Sequence, residues 1–473
     1  MNPDPTRDSN TASSLPKITV IGTGYLGATH AICMAILGAE VLGVDVDQSK
    51  IDLLASGKVP FFEPGLPEKL REALDSGRLR FTTDFDEAAA FGDVHFICVG
   101  TPQAKNSPAA DLTYVDSAFM ALASRIDRKA LLVGKSTVPI GTATRLTSLV
   151  HAASPIGTEL ELAWNPEFLR EGFAVEDTLH PDRLVFGVTS DWAEKQLRAV
   201  FRPILEEGTP VVVADLPTAE LVKVAANSFL ATKISYINAM AEVCEATGAD
   251  VSVLATALSM DARIGGKFLK PGLGFGGGCL PKDIRAFKYR AEELGVGQAV
   301  SFLGEIDSIN NRRRVRTVDL IRELVGGDLT GVRVAALGAA FKPNSDDVRD
   351  APALDVARML YLEGAIVTVY DPEANSNAHR LYPDLNYVDS LTDAVHGADV
   401  VALLTEWQEF READPEELGA LVAHRRIVDG RHALDSDGYR AHGWEYRALG
   451  RPAQPHTVSL GRDSDDAFSR QTA

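Results

Sequence analysis

The amino-acid sequence predicts an α/β protein, with parallel sheets at its two ends joined by a central domain of long helices. Three observations carry that reading. Ile18-Thr-Val-Ile21 reads as a buried strand running into Gly22-x-Gly24-x-x-Gly27, an apolar helix (Ala28 to Leu37) and a second strand (Val41 to Val46). Thr218 to Thr247, and again about Ala299 to Val325, have the pattern of long helices. Beyond Leu329 the pattern returns to short strands alternating with helices. At 473 residues the chain exceeds the size of one core. The expected division is two Rossmann-like domains, 17–216 and 329–450, flanking a helical domain, 217–328, with disordered tails at 1–16 and 451–473.

The first unit is justified by its turn. Glycines at 22, 24 and 27 permit the tight bend and let a pyrophosphate approach the N-terminus of the following helix. Asp45, about twenty residues on, is placed to accept hydrogen bonds from the adenosine ribose, which favours NAD over NADP. Lys50 can reach the same ribose, or be a solvated helix charge. Further strands are read at Leu79 to Thr83, Val94 to Val99, Ala130 to Gly134, Leu160 to Trp164, Leu184 to Val188 and Val211 to Ala214. Several run into polar or Gly/Pro loops: Gly100-Thr101-Pro102, Lys135-Ser-Thr137-Val-Pro139 and Asn165-Pro-Glu167-Phe-Leu-Arg-Glu171. Ligands bind at the carboxyl ends of strands in an open parallel sheet, so these loops are expected to line the cofactor and its substrate. Glu167 and Glu171 are read at a helix start, where acids also favour the dipole.

The helix Thr218 to Thr247 is apolar on most faces, which suggests burial between domains. Lys223 and Asn227 are four apart and share a face. A lysine in so apolar a setting needs an anionic partner. Arg263, Lys267 and Lys270 lead into Gly272-Leu-Gly-Phe-Gly-Gly-Gly-Cys-Leu-Pro-Lys-Asp283, with five glycines in seven residues before a single cysteine. Such a loop suits close backbone approach to a ligand. Pro281 marks a helix start, so Cys279 lies just before an N-terminus with Lys282 nearby, both of which favour the thiolate.

The last unit begins with a strand, Val332 to Leu337, ending in Gly338-Ala-Ala-Phe341-Lys342. A helix (Ala353 to Glu363) and strands at Ile366 to Tyr370, Val400 to Leu404 and Arg426 to Asp429 follow, the last before Gly430-Arg431. It lacks a GxGxxG and is expected to bind a different nucleotide from the first.

Composition narrows the classes. The net charge of −19 argues against a nucleic-acid partner. The four cysteines (Cys33, Cys98, Cys244, Cys279) are far apart in sequence, which argues against a zinc knuckle or a disulfide framework and fits a reducing cytoplasm. No apolar run reaches the length of a membrane span, and Met1 to Ser14 lacks the apolar core of a signal peptide. No metal site is read.

A dinucleotide fold with a reactive cysteine suits oxidation of an alcohol to an acid. The thiolate traps the intermediate aldehyde as a thiohemiacetal, a second hydride leaves, and water cleaves the resulting thioester. A two-electron hydroxyacid dehydrogenase needs neither that cysteine nor a second nucleotide domain.

On these motifs the chain resembles the nucleotide-sugar 6-dehydrogenases from about Ile18 to Leu449. The matching segments are Gly22-Thr-Gly-Tyr-Leu-Gly27, Lys135 to Pro139, Asn165 to Gly172, Glu220 to Asn227, Gly274 to Asp283, Phe341-Lys342 and Asp429-Gly-Arg431. The resemblance implies that Cys279 is the nucleophile. Asp283 and Lys223 handle the first proton through water and stabilise the oxyanion, with Asn227 beside them. Glu167 assists thioester hydrolysis and Thr137 orders a water. It implies NAD held by Gly22, Gly24, Tyr25, Leu26, Gly27, Asp45 and Lys50, with Thr101, Thr137, Glu171, Lys282 and Arg349 as further contacts. It implies a sugar nucleotide held by Lys342, Phe341 and Arg431 and by the Lys270 to Gly276 loop, including Gly274 and Phe275. Glu167, Phe168, Leu169, Lys223, Asn227 and Phe268 complete that set. Arg263 reaches the neighbouring subunit's substrate, implying a homodimer or higher oligomer built on the long helix. Gly278 and Leu280 depart from the Ser and Phe of many relatives. The run Arg263 to Lys270 favours the UDP-glucose branch over the GDP-mannose and UDP-N-acetylhexosamine branches.

Overall fold

The structure is a computed structural model and describes residues 15–452. The expected tails therefore lie, apart from residues 15–16 and 451–452, outside the described residues. The described residues form two compact units, one of 15–101 plus Asp111–Lys223, the other of Pro102–Ala110 plus 224–452.

The first unit is built on an eight-stranded sheet: β1 (Ile18–Ile21), β2 (Val41–Val44), β3 (Leu79–Thr82), β4 (Val94–Ile97), β5 (Ala130–Gly134), β6 (Leu160–Trp164), β7 (Leu184–Gly187) and β8 (Val211–Ala214). Its order is β3-β2-β1-β4-β5-β6-β7-β8. The first six strands are parallel. β7 meets β6 antiparallel at Trp164↔Gly187 and pairs β8 in parallel, so the sheet is not wholly parallel. Burial on both faces explains the apolar runs of the strands: Ile18 and Val20 join one core with Ala28, Ile32 and Phe96, while Ile21 faces another with Leu42, Phe119 and Trp164. The order reverses direction between β1 and β4, and loops at the carboxyl ends there are where such sheets bind ligands.

Two expectations are corrected here. The glycine-turn helix begins at Tyr25, not Ala28 (Tyr25–Ile36). Glu167 and Glu171 do not start a helix: the segment after β6 is loop, and the helix begins at Ala174 (Ala174–Leu179). The reason is partly local and partly a distant pairing. Pro166 has no N–H to give, and the buried carboxylate of Glu63 accepts from Gly172 N and Ala174 N at 2.6 Å each, capping the helix there.

The second unit holds the rest of a long helix (Leu216–Thr247), the helices Leu280–Glu293 and Phe302–Val325, and a second sheet. That sheet comprises β9 (Arg333–Leu337), β10 (Ile366–Tyr370), β11 (Asn386–Tyr387), β12 (Val400–Leu403), β13 (Arg426–Asp429) and β14 (Glu445–Ala448). Its order, β11-β10-β9-β12-β13-β14, is wholly parallel and repeats the doubly wound plan of the first sheet. The short β11 and the last strand β14 are additional to those the sequence indicated. The long helix is less enclosed than its apolar sequence suggested: Phe229, Tyr236 and Val243 are exposed at 66%, 48% and 53%. Among the described residues no helix is long and apolar enough to cross a membrane.

Candidate active site

In the first unit, β1 delivers the chain into a glycine turn. Gly22 has φ +87°, and a Cβ on Gly27 would lie 1.8 Å from the Gly22 carbonyl oxygen, so helix and turn close only on glycine. A Cβ on Gly24 meets nothing within 4 Å: the space beside it is open, as a pyrophosphate lying on the turn requires. Leu26 packs against the core and anchors the helix. At the end of β2, Asp45 accepts from Thr23 N (2.8 Å), Thr23 Oγ1 (3.0 Å) and Asp47 N (3.1 Å). Lys50 Nζ sits on the same carboxylate at 2.8 Å, so its charge goes to Asp45. Burial alone would raise the Asp45 pKa; Lys50 and the two backbone N–H groups outweigh it and hold it below the ordinary carboxylate value. The carboxylate is thus held ionised and fixed in orientation.

The loops after β4 and β5 are tied together by Thr101 Oγ1, which donates to the Thr137 carbonyl at 2.8 Å. Lys135 is buried and donates to Asn165 Oδ1 at 2.9 Å. Glu167 receives Lys223 Nζ at 3.0 Å and Leu169 N at 2.7 Å, with the lysine and glutamate side chains only 7% and 12% exposed. The anionic partner that Lys223 needs is therefore Glu167, fifty-six positions away. Phe168 lies beneath two cations, with Arg183 Cζ at 3.9 Å and Lys223 Nζ at 5.5 Å from its ring centre. Tyr25 donates to Glu63 and feels the charge of Glu171, and burial, then Glu63, push its phenol far up.

In the second unit, Cys279 is the exposed N-cap of the helix Leu280–Glu293, with Pro281 in the first turn. Asp283, buried one turn in, accepts from Asn227 Nδ2 at 2.7 Å and from Lys282 Nζ at 2.5 Å. Lys282 is thereby committed to Asp283. The glycine loop before the cysteine is held from beneath. Asn238 Oδ1 accepts from Gly272 N at 2.9 Å, and Asn310 clamps Phe275, accepting from its N–H at 2.8 Å and donating to its carbonyl at 2.9 Å. A Cβ on Gly276 would lie 2.2 Å from the Asp350 carbonyl, so only glycine passes there. At Gly278 a Cβ would meet the Arg349 guanidinium carbon at 2.2 Å, a contact that the end of this exposed side chain, ion-paired to Asp347, can move to relieve.

The remaining residues divide. Arg431 does not present a free fork: its donors reach the carbonyls of Leu404 (2.6 Å), Phe341 (3.1 Å) and Gly274 (3.3 Å), drawing the glycine loop and the Phe341 loop together. Burial lowers its pKa from the ordinary guanidinium value. Lys342 Nζ lies 5.4 Å from the Phe341 ring centre. Lys270 and Phe268 are exposed, Phe268 with φ +63°. Arg263 is exposed at 88% of its side chain and folded back on Asp261 at 2.6 Å. Sequence reasoning missed Glu63, Asn238 and Asn310. The signals were present: an acid set between Phe61-Phe62 and Pro64-Gly65, and asparagines in the buried registers of two long helices.

Comparisons with known proteins cover most of the described chain. Residues 16–205 match the NAD binding domain of the UDP-glucose/GDP-mannose dehydrogenase family, 217–312 its central domain and 335–436 its UDP binding domain. A UDP-glucose 6-dehydrogenase of Rhizobium meliloti is 40% identical over 92% of this chain and 100% of its own length. The UDP-glucose 6-dehydrogenase TuaD of Bacillus subtilis is 40% identical over 93% of this chain and 94% of its own. Among solved structures, a UDP-glucose dehydrogenase from Pyrobaculum islandicum superimposes with TM-score 0.86 at 37% identity, covering 93% of this chain and 99% of that one. A UDP-D-ManNAc dehydrogenase from Pyrococcus horikoshii gives 0.81 at 27%, covering 93% and 100%. With both nucleotide-type sheets, the glycine turn and the cysteine-capped helix in place, the chain belongs to the UDP-glucose/GDP-mannose dehydrogenase family.

Proposed function

We propose that the chain oxidises the C6 hydroxyl of UDP-glucose to the carboxylate of UDP-glucuronate, consuming two NAD and one water and releasing two NADH and protons. The carrying observation is Cys279, exposed at the N-terminus of the helix it caps, in a chain of this family. The glycine turn with open space beside Gly24 and the oriented Asp45 fit NAD. When bound, NAD accepts the two hydrides in turn.

The residues divide the remaining work. Asp283, held by Asn227 and Lys282, and Lys223 take the first proton through water and steady the developing oxyanion. Cys279 adds to the aldehyde, giving a thiohemiacetal whose oxidation leaves a thioester. Glu167, buried beside Lys223, helps water cleave it, and Thr137 orders that water. Arg431 and Lys342 hold the nucleotide side: Arg431 shapes the loops, and Lys342 supplies charge. Thr101 and Glu171 serve the cofactor side, with Lys282 and Arg349 reaching it only by giving up their ion pairs with Asp283 and Asp347.

The division 17–216, 217–328 and 329–450 is proposed as the functional one, with the helical part as a dimerisation domain. The exposed Phe229, Tyr236 and Val243, spaced by seven along the long helix, support a dimer there, with Arg263 acting across it. The cytoplasm is the proposed location, in keeping with a free-thiol nucleophile. The higher identity to UDP-glucose enzymes than to the N-acetylmannosamine enzyme favours UDP-glucose over UDP-N-acetylhexosamine or GDP-mannose. The test is a panel of sugar nucleotides offered with NAD. Two NADH per UDP-glucose, with the others at least tenfold poorer in kcat/KM, is expected; preference for another sugar nucleotide overturns the substrate.

A further inference from the structure

Glu63 lies outside every motif that carried the functional reading, yet it is 2% exposed and gathers three donors. Tyr25 Oη donates to it from the first residue of the glycine-turn helix, Gly172 N donates to one oxygen at 2.6 Å, and Ala174 N donates to the other at 2.6 Å. Gly172 N also approaches Tyr25 Oη at 3.1 Å, and the Tyr25 ring packs at 4.8 Å from that of Phe61. Each carboxylate oxygen therefore faces a backbone N–H, and only a carboxylate can accept from all three donors at once. One end of this arrangement is the glycine turn, the proposed seat of the cofactor pyrophosphate. The other is the end of the loop that carries Glu167, whose oxygens are held by Lys223 and by Leu169 N.

We infer that Glu63 is a positioning residue that couples the cofactor turn to the Glu167 loop, so that cofactor binding and thioester hydrolysis share one clamp. An unpaired carboxylate is costly to bury, and pairing it with Tyr25 and the Glu167 loop makes the two segments move together or not at all. The hydrolysis half of this inference rests on the proposed function; the cofactor half does not.

Glu63→Gln tests it. The amide nitrogen would face a backbone N–H, so one segment loses its anchor while the side-chain shape is kept. Two readouts separate coupling from bulk stability, both taken well below the variant's unfolding temperature. NAD affinity, measured by calorimetry without sugar, is expected to weaken about tenfold, and the acyl adduct on Cys279, seen by intact-protein mass during turnover, is expected to accumulate as kcat falls by roughly tenfold to a hundredfold. Tyr25→Phe removes the hydroxyl link to the turn and leaves both backbone N–H groups on Glu63. It is expected to weaken NAD at least threefold with little loss of melting temperature. Folded Glu63→Gln with wild-type NAD affinity and wild-type adduct occupancy overturns the coupling; if Glu63→Gln does not fold, wild-type NAD affinity in Tyr25→Phe overturns it instead. A wild-type enzyme that binds NAD but forms no adduct and no two NADH per UDP-glucose overturns the function reading, while the NAD affinities of the variants still decide the clamp.

Discussion

At the scale of single residues the proposed chemistry rests on Cys279. Replacing its sulfur by oxygen leaves an exposed N-cap little disturbed, so Cys279→Ser is expected to keep the fold and NAD binding. A hydroxyl is a far weaker nucleophile near neutral pH and its ester is slow to hydrolyse, so the variant should stall as a covalent sugar adduct detectable by mass. Cys279→Ala should bind substrate without overall turnover; completion of both oxidations at close to the wild-type rate would remove covalent catalysis from the mechanism. Asp45 is already ionised against Lys50 and two backbone N–H groups. A 2′-phosphate there meets a fixed negative charge, and kcat/KM with NADP should fall at least a hundredfold below that with NAD. Comparable values would contradict the ribose role. Arg431 places its donors on three carbonyls in a planar fork that lysine cannot imitate. Arg431→Lys should therefore raise KM for UDP-glucose roughly tenfold by loosening two loops together. It should leave the NAD affinity unchanged, and a matching loss of NAD affinity would refute that assignment.

At the scale of elements, two helices of the second unit are joined by a partly buried charge cluster. Glu245 of the long helix accepts from Arg316 Nε at 2.7 Å and from Gly450 N at 2.8 Å, and faces the fully buried Arg313 at 3.2 Å. Burial alone would raise the Glu245 pKa, but these partners outweigh it and hold it below the ordinary 4.5. The unfolded chain then binds the proton more readily, so the cluster stabilises the fold above about pH 4.5 and loses that contribution as pH falls through the lowered value. Glu245→Gln leaves the buried Arg313 with only Glu242, at 3.8 Å, as a charge partner and should destabilise by on the order of 3 kcal/mol at pH 7. The gap between variant and wild type in chemical denaturation should narrow towards pH 3; a constant gap would mean that the carboxylate charge is not what matters. The outer face of the same long helix carries Phe229, Tyr236 and Val243. Phe229→Asp should convert the proposed dimer to monomer in sedimentation, and an unchanged mass would place the interface elsewhere.

At the scale of the whole molecule, each unit carries its own parallel-rich sheet with a reversal of strand order. If each serves its own nucleotide, hydrogen exchange should respond separately. NAD at a hundredfold excess over its Kd stabilises the binding form by about 2.7 kcal/mol, and its slowed amides should lie around Gly22–Gly27, Asp45 and Thr101. UDP-glucose should protect Gly272–Gly278, Phe341–Lys342 and Gly430–Arg431 instead. The same amides slowing with either ligand would contradict the division of labour.

The sequence by itself determined much of this. Strands buried on both faces must be apolar throughout, the dinucleotide turn must be glycine at fixed spacing, and a Pro at a helix start after a glycine run sets where the cysteine lies. These are short-range requirements, so β1, the glycine turn, the long helices and Cys279 could be read from neighbouring residues. Tertiary structure decided what depends on pairing between distant positions. It determined that Glu63 caps the helix at Ala174 and ends the Glu167 loop there, and that Lys223 meets Glu167. It also determined that Lys50 turns to Asp45, that β7 runs against β6, and that the Arg431 donors close on backbone carbonyls. A buried carboxylate or guanidinium takes whichever donors or acceptors the packed core brings within 3 Å of it, and no local pattern of residues encodes which those are.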